Sequence, residues 1–145
     1  MKLTAFLLLV LTLLFAVVSC DTKSTSDTTA AAADGASGIW ANATYTEDVT
    51  LGEGVNTVIV TVEAEGKSIV LTIQTNEATL GEALYALGII NDPSFFDVCN
   101  GMKADWSKDQ AYWGFYQGGT VLPYGVDNES ATTAGNPSYE IIYTK

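Results

Sequence analysis

Residues 57–75 carry the pattern of a β-hairpin, because β-branched residues alternate with other residues on both sides of a glycine turn. The turn falls at Glu65-Gly66. The apolar positions that share one face are Val58, Val60 and Val62 before the turn and Ile69, Leu71 and Ile73 after it. Side chains of a strand point alternately to the two faces of a sheet, so this pattern predicts two half-buried antiparallel strands.

The period changes to that of a helix after residue 78. Apolar residues at 80, 83, 84 and 87 share one helical face. Thr79 and Glu82 have the spacing of a capping box, in which the threonine oxygen and the glutamate carboxylate each accept a backbone N–H. Gly88 stands where a left-handed residue commonly ends a helix. The sequence therefore predicts one amphipathic helix between Thr79 and Gly88.

Three shorter strand candidates follow the helix. They are residues 95–99, closed by an Asn-Gly turn, the aromatic stretch AYWGFYQ at 111–117, and the alternating stretch 138–144. Gly118-Gly119 turns the aromatic strand back toward residues 121–122, and residues 123–137 have the composition of a loop. A hairpin, one helix and further strands indicate an α+β fold of the β-grasp kind, in which an antiparallel or mixed sheet carries one helix across one face.

The start of the chain has the organisation of an export signal. Lys2 precedes an almost wholly apolar run at 3–18. The stretch VVSC at 17–20 resembles a bacterial lipobox, which implies that Cys20 is acylated and becomes the mature N-terminus. The prediction is a lipoprotein signal peptide at 1–19, with plain secretion as the next interpretation. A membrane-spanning helix is disfavoured, since the run is shorter than the ~20 residues that a span needs.

Residues 20–38 begin with the predicted lipidated cysteine and continue with small and polar residues, without a large apolar side chain. Such a segment cannot bury enough surface to offset its ordering entropy, so it is expected to be a flexible tether. Residues 39–145 then form the globular domain. We expect this domain to lie outside the cytoplasm, held at the bacterial cell membrane by the lipid.

The charge of the chain excludes several classes of function. Six basic residues, all lysines, and 17 acidic residues give a formal net charge of −11. Nucleic-acid binding depends on basic side chains at phosphates, so no nucleic-acid partner is expected. Histidine is absent, which excludes Ser-His and Cys-His nucleophile pairs and histidine-bearing zinc sites. The acidic residues lack the spacing of an EF-hand, so no metal site is predicted.

No catalytic residue is predicted, and the protein is not expected to be an enzyme. Paired loop carboxylates acting as a glycosidase are a distant alternative. Cys99 is expected to be a small apolar residue in or near the core, and a reactive thiol is the alternative.

The stretch AYWGFYQGGTVLPYGVDNES at 111–130, with the strands and helix before it, resembles the C-terminal β-domain of transcobalamin and intrinsic factor. Bacterial exported proteins carry stand-alone copies of this transcobalamin-like domain. The likeness extends over roughly 44–145 and is most specific at the Tyr-Trp-x-Phe block and its following turn. The resemblance implies a noncovalent ligand-binding module, because in the vitamin carriers this domain covers one face of cobalamin. The matching positions are Trp113, Phe115, Tyr116, Gln117, Gly118 and Leu122.

The residues of the aromatic block are the best candidate site in their own right. On a strand, Trp113 and Phe115 share one face, while Tyr112 and Tyr116 share the other. One pair is expected to pack on the core and the other to be exposed. Exposed rings would form a flat platform for a ring-shaped or glycan ligand, and the alternative is that all four rings serve sheet packing. Two loop residues would extend the platform: Tyr124 and Trp106.

The predicted function is that of a surface-anchored lipoprotein with a non-enzymatic ligand-binding domain. Its small-molecule ligand would be of the cobalamin or corrinoid type, presented to a transporter or surface protein. No cofactor is predicted apart from cobalamin as a bound ligand. The alternative is an adhesion or interaction module that recognises a protein or a cell-wall glycan through the same aromatic edge.

Overall fold

The computed structural model describes residues 37–132 and 135–145. In chain order the strands are β1 (Val49–Leu51), β2 (Asn56–Ala64), β3 (Lys67–Thr75), β4 (Val98–Cys99), β5 (Met102–Lys103), β6 (Tyr112–Gln117), β7 (Thr120–Val121) and β8 (Ser138–Thr144). The helices are α1 (Leu80–Ala86) and α2 (Trp106–Asp109), with 3₁₀ helices at Gly38–Asn42 and Val126–Asn128.

Six strands form one mixed sheet in the order β1-β3-β2-β8-β6-β7. β1 is parallel to β3 and β2 is parallel to β8, whereas the other neighbours are antiparallel. β4 and β5 form a separate two-stranded ladder. With α1 as the one main helix of the described residues, this arrangement confirms the predicted α+β fold.

The hairpin of β2 and β3 has the predicted turn and the predicted buried face. Its strands pair without a break, from Asn56 with Thr75 to Ala64 with Lys67. The two turn residues have positive φ, as a two-residue hairpin turn requires. The predicted apolar face is buried in full: Val58, Val60, Val62, Ile69, Leu71 and Ile73.

Helix α1 has the predicted ends. The hydroxyl of Thr79 accepts the N–H of Glu82 at 3.2 Å, and the Glu82 carboxylate accepts the N–H of Thr79 at 3.3 Å. Beyond the helix, Gly88 has a φ of +68°. Leu80 and Leu84 are fully buried in the same core as the hairpin face. Burial of a leucine stabilises the fold by about 1.5–3 kcal/mol, so this face is what holds the helix to the sheet.

The segment between α1 and the aromatic strand differs from its prediction. Only the last two residues of the predicted strand 95–99 are in β4. Phe95 lies in a loop because the carboxylate of Asp92 accepts the N–H groups of Ser94 and Phe95, at 2.9 and 2.8 Å, and turns the chain first. The turn at Asn100-Gly101 is confirmed, with a positive φ at both residues.

The last strands follow their predictions closely. The aromatic stretch forms β6, and the alternating stretch 138–144 forms β8. The return strand β7 contains Thr120 and Val121, so it begins and ends one residue earlier than predicted. The sequence pattern predicts neither β1 nor the 3₁₀ helix at Gly38–Asn42.

The predicted signal peptide at 1–19, the lipidated Cys20 and the tether through residue 36 lie outside the described residues. Within residues 37–132 and 135–145, no helix combines the length and the apolar character that crossing a membrane requires.

Candidate functional site

Two adjoining grooves lie beside β6, and together they are called the aromatic cleft here. The strand groove has a volume of about 450 Å³ and lies between β6, residues 94–96 and residues 121–126. The helix groove has a volume of about 320 Å³ and lies beside α2. Phe95, Phe96 and Tyr112 line both grooves, so the two form one continuous surface.

Large exposed apolar side chains are concentrated at this cleft. The described ranges contain seven such side chains, and all but Val55 and Tyr85 line one of the two grooves. The side chains at the cleft are Phe95, Trp106, Tyr112, Val121 and Tyr124. Soluble proteins usually scatter such residues singly, and contiguous patches mark interaction sites. The aromatic cleft is therefore the candidate functional site.

The four aromatic residues of β6 divide between two faces, as the alternation predicts. Trp113 and Phe115 are 9% and 6% exposed, whereas Tyr112 is 45% exposed. Trp113 packs edge-on against Tyr143, with ring centres 5.4 Å apart, and Phe115 stacks on Tyr139 at the same distance. These contacts fix the rings that form the floor of the strand groove, and they leave Tyr112 at its open side.

The predicted site residues fall into two groups. Trp113, Phe115, Leu122 and Tyr124 line the strand groove. The other three, Tyr116, Gln117 and Gly118, lie toward the β6–β7 turn and line neither groove. The ring of Tyr116 lies against Gly114, where an added Cβ would be 2.7 Å from that ring. The cleft therefore contains the first four residues of β6 and the segment 121–126. The turn between β6 and β7 lies outside it.

The loop before β4 supplies Phe95, which the sequence prediction missed. Besides the turn made by Asp92, the side chain of Asn91 accepts the N–H of Val98 at 3.0 Å and donates to the Asp97 carboxylate at 2.7 Å. The backbone N–H groups that bind Asp92 hold its pKa below the ordinary value. These bonds hold Phe95 in a turn with 88% of its surface exposed. The short Asn-Asp-Pro-Ser stretch before it was the available signal.

Helix α2 supplies the wall of the helix groove. The carboxylate of Asp105 caps this helix by accepting the N–H groups of Ser107 and Lys108, both at 3.1 Å. The Ser107 hydroxyl donates to the same oxygen at 2.7 Å and is the main cause of the lowered pKa of Asp105. The cap presents Trp106, 65% exposed, edge-on to Tyr112 with ring centres 6.0 Å apart. Trp106 and Tyr124 thus extend the aromatic surface from opposite ends.

The floor of the strand groove carries an unused hydrogen-bond donor. The indole N–H of Trp113 is buried and has no acceptor among the described residues. An indole can only donate, and a buried donor without a partner costs about 1–3 kcal/mol. By contrast, the indole N–H of Trp40, outside the cleft, donates to the carbonyl of Ala64 at 2.7 Å.

Glu129 connects two tyrosines at one end of the strand groove. The hydroxyl of Tyr139 donates to its carboxylate at 2.6 Å. Burial, followed by this carboxylate, raises the pKa of Tyr139 well above its ordinary value. A hydrogen bond to Glu129 is also the first cause of the raised pKa of Tyr124. Both phenols are therefore neutral at pH 7, and Tyr124 presents an uncharged polar edge to the groove.

Cys99 is buried completely, which confirms its predicted place in the core. Burial alone raises the pKa of its thiol far above the ordinary range. Across residues 37–132 and 135–145, no group of three or more His, Cys, Asp or Glu side chains is placed to hold a metal ion.

Comparison with known proteins shows that the fold of this chain is similar to that of a solved structure. No family model and no curated protein matches the chain. A solved structure of a "putative metal binding protein" from Ruminococcus gnavus is similar with a TM-score of 0.55 and 22% identity, over 63% of this chain and 98% of that one. Haptocorrin, solved in complex with Cbi, is similar at a distance, with a TM-score of 0.42 and 14% identity, over 65% of this chain and 27% of that one.

Proposed function

We propose that this protein is an exported, lipid-anchored binding protein whose aromatic cleft holds a ligand without covalent chemistry. One observation carries the proposal: five of the seven large exposed apolar side chains of the described ranges meet at two adjoining grooves. Exposing them to water is unfavourable by roughly 25 cal/mol per Å² of apolar area. A ligand that covers them recovers that free energy.

The size and lining of the cleft support a small-molecule ligand with flat apolar surface. Volumes of about 450 and 320 Å³ fall at the lower end of the range of small-molecule pockets. Rings offer large contact area with little conformational freedom to lose. The exposed phenols of Tyr112 and Tyr124 are the polar groups that would orient the ligand.

Within that class, we propose a ligand of the corrinoid type, and this finer statement rests on the resemblance of 111–130 to the vitamin carriers. Four of the seven ligand-binding residues predicted from the sequence line the strand groove: Trp113, Phe115, Leu122 and Tyr124. The Cys20 lipid would hold the domain at the membrane surface, from which it would pass its ligand to a transporter or a surface protein. No chemical step on the ligand is part of the proposal.

Tryptophan fluorescence during titration with cyanocobalamin tests the ligand. Cyanocobalamin is added to the full chain in detergent up to a concentration of about 1 mM. Binding as weak as about −4 kcal/mol is then detected. We expect saturable quenching, corrected for ligand absorbance with free tryptophan. The quenching should be lost in Trp106→Ala and Phe95→Ala, whose side chains are exposed, and kept in Tyr85→Ala, which changes an exposed ring outside the cleft. A flat titration would overturn the corrinoid proposal.

Mass spectrometry of the protein from a bacterial membrane fraction tests the anchor. The expected N-terminal peptide begins at Cys20 and carries added acyl mass. A mature chain that begins at Met1, or an unmodified Cys20, would contradict lipidation. A Cys20→Ser variant should lose both cleavage at this site and membrane association.

A second candidate, recognition of a protein or glycan, is favoured by the same exposed rings. It has one specific observation of its own, the incompletely paired outer edge of β6.

A further inference from the structure

The outer edge of β6 is open where it passes through the aromatic cleft. On one side, β8 pairs with β6 from Tyr112 to Tyr116. On the other side, β7 pairs only with Tyr116 and Gln117. After β7 the chain makes one more bond to β6, from the N–H of Leu122 to the carbonyl of Phe115 at 2.8 Å. The first three residues of β6 therefore have a strand neighbour on one side only.

The backbone groups of Trp113 point to this open side. The bond from Leu122 shows that the backbone groups of Phe115 face β7. Backbone direction alternates along an antiparallel strand, so Trp113, two residues earlier, directs its N–H and C=O the same way, beyond the end of β7. Within residues 37–132 and 135–145, no backbone hydrogen bond reaches Trp113 from this side.

Trp113 lies on the floor of the strand groove, and the residue as a whole is 9% exposed. The buried indole N–H of Trp113 also has no acceptor among the described residues. Buried backbone groups are nearly always paired in folded proteins, so this edge has unused hydrogen-bonding capacity.

An extended peptide carries backbone N–H and C=O groups that could pair with the unpaired groups at this edge of β6. A peptide beside an open strand supplies an N–H and a C=O at every second residue, while its side chains enter pockets on either side. The unpaired part of β6, from Tyr112 to Gly114, is about 7 Å long at ~3.4 Å per residue, so the middle of a segment of about five residues would pair there. Phe95 and Phe96 would form the wall facing the edge.

Charge favours a basic segment. The chain has a net charge of −11. In the helix groove, Asp97 and Asp105 face Lys103, and Lys103 is itself 3.5 Å from the Asp97 carboxylate. The charges of the residues that line the two grooves therefore sum to −1. The net charge of the whole chain makes the electrostatic potential around the grooves negative. A peptide with lysine or arginine between apolar residues would be attracted, and an acidic one repelled.

We propose that the aromatic cleft binds a basic, extended segment of a partner protein, which adds to β6 as a strand by pairing with the backbone of Trp113. The inference does not depend on corrinoid binding. In this mode of recognition, backbone hydrogen bonds hold the partner segment, and the exposed rings of the cleft select its apolar side chains.

Backbone-methylated peptides test the inference on the full chain in detergent. The probe is the acetylated, amidated pentapeptide Lys-Val-Lys-Val-Lys. One analogue carries N-methyl groups on the valine amides and another on the lysine amides. Because only alternate amides of an added strand face the protein, one analogue should lose at least about tenfold in affinity and the other should bind almost unchanged. Equal binding of both analogues would overturn strand addition.

Amide hydrogen exchange locates the site at which the peptide binds on the protein. At saturation, exchange at Trp113 should slow by about tenfold or more, while exchange in β1, at the opposite edge of the sheet, stays unchanged. Trp106→Ala and Phe95→Ala should weaken binding, and Tyr85→Ala should not. The acidic peptide Glu-Val-Glu-Val-Glu should bind at least about tenfold more weakly. Exchange at Trp113 that is unaffected by the bound basic peptide would contradict the assignment to β6.

The two proposals fail separately. If cyanocobalamin quenches fluorescence through the cleft residues and the pentapeptide does not bind, strand addition is overturned and the corrinoid proposal stands. If the pentapeptide protects Trp113 and cyanocobalamin gives no response, the corrinoid proposal is overturned and strand addition stands.

Discussion

Asn100 is a buried polar residue that holds together the loops beside the cleft. Its side chain is fully buried and bonds both backbone groups of one residue, because Oδ1 accepts the N–H of Tyr45 at 2.9 Å and Nδ2 donates to the carbonyl of Tyr45 at 2.8 Å. Its own N–H donates to Ile89 at 2.7 Å. Its φ is +52°, a conformation that asparagine tolerates better than most residues. One amide therefore ties Tyr45 to the β4–β5 turn.

The Asn100→Asp change keeps the shape and the acceptor of this side chain but removes the donor. Loss of the hydrogen bond to Tyr45 costs about 1 kcal/mol. The new carboxylate would also be buried next to a carbonyl oxygen, and an uncompensated buried charge costs about 3–5 kcal/mol. We expect a loss of about 3 kcal/mol or more in the free energy of unfolding at pH 7.

The penalty of Asn100→Asp should depend on pH in a defined direction. Burial raises the pKa of the new carboxyl in the folded state above its unfolded value of about 3.9. At pH below that value both states are protonated, so the penalty is smallest. As pH rises, the unfolded state ionises first and stability falls, until the folded carboxyl also ionises.

Urea unfolding followed by circular dichroism between pH 4 and 8 measures this effect. The matched control is Asn76→Asp, because Asn76 is exposed and uses only its oxygen, as acceptor of the Val55 N–H at 3.2 Å. The control should change stability by less than about 0.5 kcal/mol. A penalty for Asn100→Asp that is below about 1 kcal/mol and constant with pH would refute the role assigned to this amide.

Three further predictions concern other parts of the fold. Thr79→Ala removes the capping-box acceptor of α1 and should lower the free energy of unfolding by about 1 kcal/mol in the same urea assay; no loss would mean that the cap is not used. Cys99 should resist iodoacetamide at pH 8 in the native state and react when urea unfolds the chain, because burial raises the pKa of its thiol; the measurement is the mass of the proteolytic peptide that contains Cys99, and rapid native labelling of that peptide would contradict its burial. Stability should fall as pH rises above about 10, because the unfolded chain ionises Tyr139 there while the folded state, with its raised pKa, keeps the proton. Tyr139→Phe should flatten this fall, although it also loses the bond to Glu129, and an unchanged pH profile would contradict the raised pKa.

The sequence predicts the elements whose causes are local. The capping box of Thr79 and Glu82, the turn at Gly88 and the alternation of β2 and β3 need only neighbouring residues, and each is as predicted. β1 has just three residues and depends on a distant neighbour, because Asp48 beside it accepts the N–H of Val70 at 2.8 Å. Its pattern is too short to be distinguished from a loop.

The residues of the candidate site also divide into those that the local sequence predicts and those whose placement depends on other parts of the chain. Alternation predicts that Trp113 and Phe115 share one face, but which face meets the core depends on the strands that flank β6. Trp106 could be proposed from its ring alone, and its placement depends on the Asp105 cap of a four-residue helix. Phe95 was predicted in a strand because the turn that exposes it depends on the side chains of Asn91 and Asp92. The cleft is assembled from loops, where sequence periodicity carries little information.

Chemical-shift mapping with small aromatic fragments tests most directly the claim that the aromatic cleft is the binding surface. Indole and benzamide at several millimolar report sites with dissociation constants of about 1 mM, whatever the natural ligand is. The account predicts that shifts of backbone and side-chain signals gather at Phe95, Trp106, Tyr112, Trp113 and Tyr124. Shifts that are centred on Tyr85 or Val55, or that scatter over the surface without preference for the cleft, would contradict it.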